Sequence, residues 1–130
     1  MKNEKIKMQN DKEKFKNEFK ARIYQFILEL IKFIDNLGKD SSSQIITKQL
    51  LRSGTSIGAN YIEAQASSSK KDFINFFHYS LKSANESKFW LSLLRDSNKG
   101  NKIKINKLLK ELNEIANILG SSILTLKGKK

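Results

Sequence analysis

From Phe15 onward, apolar residues recur at steps of three and four: Phe15, Phe19, Ile23, Phe26, Ile27, Leu30, Ile31, Ile34 and Leu37. Only an α-helix brings such a series onto one face, so this spacing predicts a long amphipathic helix. Gly38 is a natural place for it to stop. The chain has no proline, so nothing in it forces a helix to break. A second helix is expected after the N-cap candidates Asp40–Ser43, with the stripe Ile46, Leu50, Gly54, Ile57, Tyr61 and Ala64. The run Ser67-Ser68-Ser69 breaks that pattern and can cap a third helix. The third stripe is Phe73, Phe76, Phe77, Ser80, Leu81, Ala84, Trp90, Leu91 and Leu94. Ser97-Asn98-Lys99-Gly100-Asn101 is a loop. A fourth helix follows through Ile105, Leu108, Leu109, Leu112, Ile115, Ala116, Leu119, Ile123 and Leu126, with Gly120 inside it or weakening its last turn.

No alternating runs bounded by hairpin turns occur, so strands are not expected. Short connections between helices of similar length make neighbours antiparallel. The expected fold is an all-α, up-down-up-down four-helix bundle over residues 15–126. Residues 1–14 read as a charged arm or a frayed helical extension, and residues 127–130 as a basic tail. A length of 130 residues supports one domain.

Several function classes are disfavoured by composition. With no cysteine there are no disulfides or thiolate metal sites, which fits a reducing compartment. The most apolar stretch, Ile23 to Leu37, is interrupted by Glu29, Lys32 and Asp35, too soon for a membrane span. The basic N-terminus is not followed by the apolar core of a secretory signal, and a cytoplasmic location is expected. As a membrane-surface helix the N-terminal arm offers only Ile6 and Met8, too few for a lipid face. His78 is the only histidine, and Asn75 stands where a Glu-x-x-His metal motif would need a carboxylate. No metal, cofactor, nucleophile elbow or phosphate loop is indicated, and an enzyme is not expected.

The formal net charge of +12 points to a polyanion partner, nucleic acid above all. The same lysine excess, with only Arg22, Arg52 and Arg95 as arginines, is also what an AT-rich coding sequence produces. Lys99, Lys102, Lys104, Lys107 and Lys110 open the fourth helix with no acid among them. Arg95, at the end of the third helix, joins them in an antiparallel bundle. Positive charge at a helix N-terminus opposes the macrodipole, so this cluster is not there for helix stability. It is the candidate RNA contact.

The segment Arg52 to Glu63 carries a different message. Gly54 and Gly58 lie one turn apart and mark close helix packing. Arg52, Ser56, Asn60 and Glu63 share a second, polar face. They are read as part of a buried hydrogen-bond network, between helices or across a subunit interface, rather than as a recognition surface. Arg52 is expected to pair with a carboxylate, and Asn60 to bond backbone or Glu86. Tyr61 and Trp90 are expected to be partly exposed at a subunit contact, each having an apolar body and a polar tip.

The order of these residues also resembles a known family. Gln49-Leu50-Leu51-Arg52-Ser53, Ser56-Ile57-Gly58-Ala59-Asn60, Glu63, Asp72-Phe73, Ala84-Asn85-Glu86 and Phe89-Trp90-Leu91 closely resemble the bacterial four helix bundle proteins. Members are often encoded within intervening sequences of large-subunit ribosomal RNA genes. A related branch is the accessory variability determinant of diversity-generating retroelements. The resemblance implies a homopentamer associated with RNA or a ribonucleoprotein, without catalysis. In the retroelement branch it implies a basic barrel that binds a reverse transcriptase and RNA. A protein-binding scaffold, such as a reverse-transcriptase accessory subunit, is therefore the alternative to an RNA-associated protein.

Overall fold

The computed structural model describes residues 2–128; Lys129 and Lys130 of the basic tail, and Met1, lie outside them. All regular structure among these residues is helical: α1 (Lys2–Asp35), α2 (Ser41–Ala66), α3 (Lys70–Asp96) and α4 (Lys102–Leu126). Each helix packs on its chain neighbours, and α4 closes back onto α1. The diagonal pairs stay apart, which is the arrangement of a four-cornered bundle. Cross-helix partners run in opposite senses along α2 and α3: Ser53 meets Ser87 while Ile57 meets Ser80.

The helix starts follow local chemistry. Asp40, Ser69 and Asn101 each accept a bond from the backbone N–H three residues on, at 3.3, 3.1 and 3.0 Å. Each satisfies a donor that the first turn leaves orphaned. The end of α1 departs from expectation. It stops at Asp35, three residues before Gly38, because Asn36 turns its amide back onto the Lys32 carbonyl at 2.9 Å. At the end of α3, Asn98 takes a left-handed φ of 61°. Lys99 N–H reaches the Leu94 carbonyl at 2.8 Å and Asn98 N–H the Arg95 carbonyl at 3.2 Å, a Schellman closure. Gly100 then needs to be glycine twice over. Its φ is 79°, and a Cβ there would lie 2.7 Å from Leu37 Cδ2.

The core runs along the bundle axis. From α1 it takes Phe19, Ile23, Phe26, Leu30, Phe33 and Leu37. Fully buried Leu50, Ile57, Leu91, Leu94, Leu112, Ile115 and Leu119 fill it from the other helices. Each is worth about 1.5–3 kcal/mol against exposure. Phe15 is not in the core, contrary to its place at the head of the first stripe. It is 53% exposed, because α2 and α3 end near its level and the seam between α1 and α4 is open there.

Candidate assembly face and basic edge

α2 and α3 form the most intimate pair in the molecule. The facing residues are small: Ser53 on α2, and Ser80, Ala84 and Ser87 on α3 at steps of four and three. Small side chains let the axes approach, and the hydroxyls must then find partners. Ser80 Oγ donates across the interface to the Ile57 carbonyl at 2.8 Å. Ser53 Oγ and Ser87 Oγ lie 2.8 Å apart, with the Leu50 carbonyl 3.2 Å from the first and the Ser83 carbonyl 2.9 Å from the second, so each hydroxyl has both its neighbour and a backbone acceptor in reach. Among the described residues no buried side-chain polar atom lacks a partner. Sequence reasoning missed this buried network. Ser80 belongs to the apolar stripe of the third helix, and the repeat of small residues at 80, 84 and 87 is the signal that points to the network.

The residues that sequence reasoning did single out lie elsewhere. Arg52 Nη2 donates to Glu86 Oε2, and Trp90 Nε1 donates to the same oxygen at 2.9 Å. Gln49 accepts from Arg52 Nε at 3.1 Å. This chain bridges α2 and α3, but on the outside: the Arg52 and Glu86 side chains are 56% and 36% exposed. Ser56 and Asn60 bond back onto their own helix, to the Arg52 carbonyl at 2.7 Å and the Ser56 carbonyl at 2.9 Å. Glu63 is exposed. The expected buried network is therefore, within one chain, a surface one. Its residues lie past the edge of the α2–α3 contact, where water reaches them.

Gly54 and Gly58 face α1. A Cβ on Gly54 would collide with Leu30 Cδ2, and one on Gly58 would come within 2.9 Å of Ile27 Cδ1. The close packing is against α1 side chains of the same chain. Tyr61 corrects a second expectation. It is 2% exposed and sits among Phe19 and Phe77, ring centroids 5.2 and 5.6 Å away. Its hydroxyl donates to the Lys16 carbonyl at 3.3 Å, and burial pushes the phenol up to about 12. The polar tip is satisfied inside the molecule, so exposure is not needed. Trp90 is half-buried beside Phe89, at 4.9 Å between centroids. Phe89, Tyr79 and Leu93 are 57%, 49% and 37% exposed on α3. Together with the Arg52–Glu86–Trp90 chain they make an outward face that is aromatic at its centre and polar at its edge.

The lysine cluster divides in two. Lys99 Nζ pairs with Asp40 Oδ2 at 2.9 Å. That bond, with those from Ser43 and Ser42, holds the Asp40 carboxyl well below the usual carboxylate range. Arg95 Nε pairs with neighbouring Asp96 at 2.9 Å, raising the guanidinium and lowering the carboxyl. Lys102, Lys104, Lys107 and Lys110 are all exposed on the first turns of α4, which hold no acid. Lys104, Lys107 and Lys110 line a groove of about 700 Å³ between α4 and α1, where Lys32 stands on the opposite wall. The groove ends at a clasp: Arg22 donates through Nε and Nη2 to Glu111 at 2.8 and 2.6 Å, and through Nη2 to Glu114 at 3.0 Å. His78 is half-buried on α3. No group of three or more His, Cys, Asp or Glu among the described residues could hold a metal ion. Nor is any helix among them long and apolar enough to cross a membrane.

Fold and surface thus define a small basic four-helix bundle with an aromatic outer face on α2–α3 and a lysine edge on α4. The family model of the 23S rRNA-intervening sequence protein matches residues 16–121, and the chain belongs to that family. A solved structure from Bacteroides thetaiotaomicron VPI-5482 is 34% identical, with a TM-score of 0.77. The match covers 83% of this chain and 96% of that one, described as a protein of unknown function from the S23 ribosomal protein family. No curated protein matches the chain.

Proposed function

We propose that the chain is a non-catalytic RNA-associated protein that works as a homo-oligomer, a pentamer as the family resemblance implies. The carrying observation is the row Lys102, Lys104, Lys107 and Lys110. These exposed cations oppose the dipole of the helix that bears them and no carboxylate in its first turn offsets them. Such an arrangement costs the fold a little and suits phosphate. Successive members at 104, 107 and 110 are spaced about 4.5 Å along the axis, short enough for one strand's phosphates to be met in turn. The contacts would be to backbone and largely blind to sequence. The family's name makes structured ribosomal RNA the first candidate. Assembly through the exposed Tyr79, Phe89 and Leu93 face would repeat the lysine edge around a ring and multiply its field.

The test is a titration of a structured ribosomal-type RNA, a scrambled RNA and a duplex DNA over a range of salt. We expect tight binding with a steep salt dependence. Lys104→Ala, Lys107→Ala and Lys110→Ala together should make the log–log slope shallower by about 2–3. Absence of binding at low salt would overturn the RNA reading and leave a protein-binding scaffold, of the reverse-transcriptase accessory kind, as the alternative. Sedimentation tests the assembly: five chains of 15.0 kDa are expected, and Phe89→Glu should lower the mass.

A further inference from the structure

α1 and α4 approach each other least of all the neighbouring pairs. Beyond the Arg22 clasp, toward the start of α1, their seam opens into a second groove of about 740 Å³. Its floor is apolar and aromatic, built from Tyr61, Phe73, Phe77 and Ile118, with Phe15 at the lip. Lys12 and Lys16 stand on its wall, and no carboxylate lines it.

The groove has a rail. Met8 and Phe15 are seven residues apart on α1, as are Phe19, Phe26 and Phe33, so one side of the helix carries an apolar line past the bundle. Phe19, Phe26 and Phe33 on that line are buried, whereas Met8 and Phe15 are 59% and 53% exposed. α4 runs along the other side of this groove as far as Leu126, with Ile118, Ser122 and Thr125 in its wall, but the two helices stand too far apart there to cover the floor. What fits is a rod with an apolar stripe at helical spacing, laid along the open seam between α1 and α4. Charge selects its flanks. Lys12 and Lys16 favour carboxylates, while a second copy of this chain, net +12, would bring like charge to the groove. We propose that this groove is a docking site for an acidic amphipathic helix of a partner protein.

The probe is a fluorescent 18-residue helical peptide with leucines at i, i+3, i+4 and i+7 and glutamates elsewhere, beside its lysine counterpart. We expect the glutamate peptide to bind and the lysine peptide not to. Phe15→Asp, and separately Lys12→Glu with Lys16→Glu, should each weaken binding about tenfold or more. Phe15→Leu should retain it. Lys12 and Phe15 are exposed and Lys16 is half-buried, and far-UV circular dichroism should report an unchanged bundle. Lys104→Glu, Lys107→Glu and Lys110→Glu together should leave peptide affinity within about twofold while weakening RNA. If instead they weaken the peptide as much as the groove variants do, general attraction to a +12 chain explains the binding and the proposal falls. It falls also if Phe15→Asp is without effect, if Phe15→Asp lowers the sedimentation mass (a second copy then fills the groove), or if groove variants lose RNA and peptide together. The RNA reading rests on different lysines, so either can fail alone.

Discussion

The α2–α3 and α1–α4 seams are built from opposite materials. The first uses serine and alanine at facing positions and is the closest contact in the bundle. The second uses Phe26, Phe33 and Leu108, and is the loosest. Large apolar side chains do not by themselves make a tight interface. They bury area but hold axes apart, and gaps remain where rows of bulky groups fail to interlock. Small residues bring backbones together, provided each hydroxyl is paired, as Ser53, Ser80 and Ser87 are. The loose seam is tied instead by a part-exposed ion pair, Arg22 with Glu111. Both grooves flank that tie. The tight seam is closed along its length, and the loose seam offers surface.

Deleting side-chain volume on each side of this contrast should give the largest effect. Leu91 is fully buried on α3, and Leu91→Ala should cost about 3–4 kcal/mol because the cavity is closed. Leu108 lines the open groove, and Leu108→Ala should cost about 2 kcal/mol, close to the transfer term alone. Urea denaturation followed by circular dichroism measures both. Equal losses would mean that the α1–α4 seam is as well packed as the other. Next in size comes the hydroxyl network. Ser53→Ala and Ser87→Ala, with the double variant, should show a coupling of about 1 kcal/mol. Zero coupling would leave small size, not hydrogen bonding, as the reason for serine there. Arg22→Gln should cost less, under about 1 kcal/mol after solvent screening, and the loss should shrink as salt rises.

Much of this was legible in the sequence. The helical spacing gave the four elements, and Asp40, Ser69 and Asn101 stand where N-cap chemistry demands. Less legible was the depth at which a polar residue sits. A polar face beside a glycine strip reads as a buried, paired network, yet the length of Arg52 and Glu86 carries them to the surface. Serine is the reverse: too short to reach water from the α2–α3 contact, it must bond where it stands. Tyr61 fell between these cases, since its hydroxyl finds the Lys16 carbonyl without leaving the core. The loose seam was not legible either. Periodicity assigns a face to each helix, but whether two faces interlock depends on the shapes that meet.

The smallest expected effect lies where the two halves of the molecule are joined. Asp40 caps α2 and holds Lys99 of the α3–α4 loop. Its carboxyl is held below its ordinary value, first by the Lys99 bond and then by Ser43 and Ser42. A depressed folded-state value means that the unfolded chain takes up this proton first. The contribution is therefore complete above the unfolded value near 3.9 and is lost as pH falls from there through the folded value. The urea midpoint should decline between about pH 4 and pH 2. In Asp40→Asn the cap persists, since asparagine serves at that position, but the Lys99 pair and the titration are gone. The acid limb should flatten by a small amount, because the pair is at the surface and screened. If the limb keeps its slope, the cap matters through geometry alone, and Lys99 is as free as Lys102 to meet a phosphate.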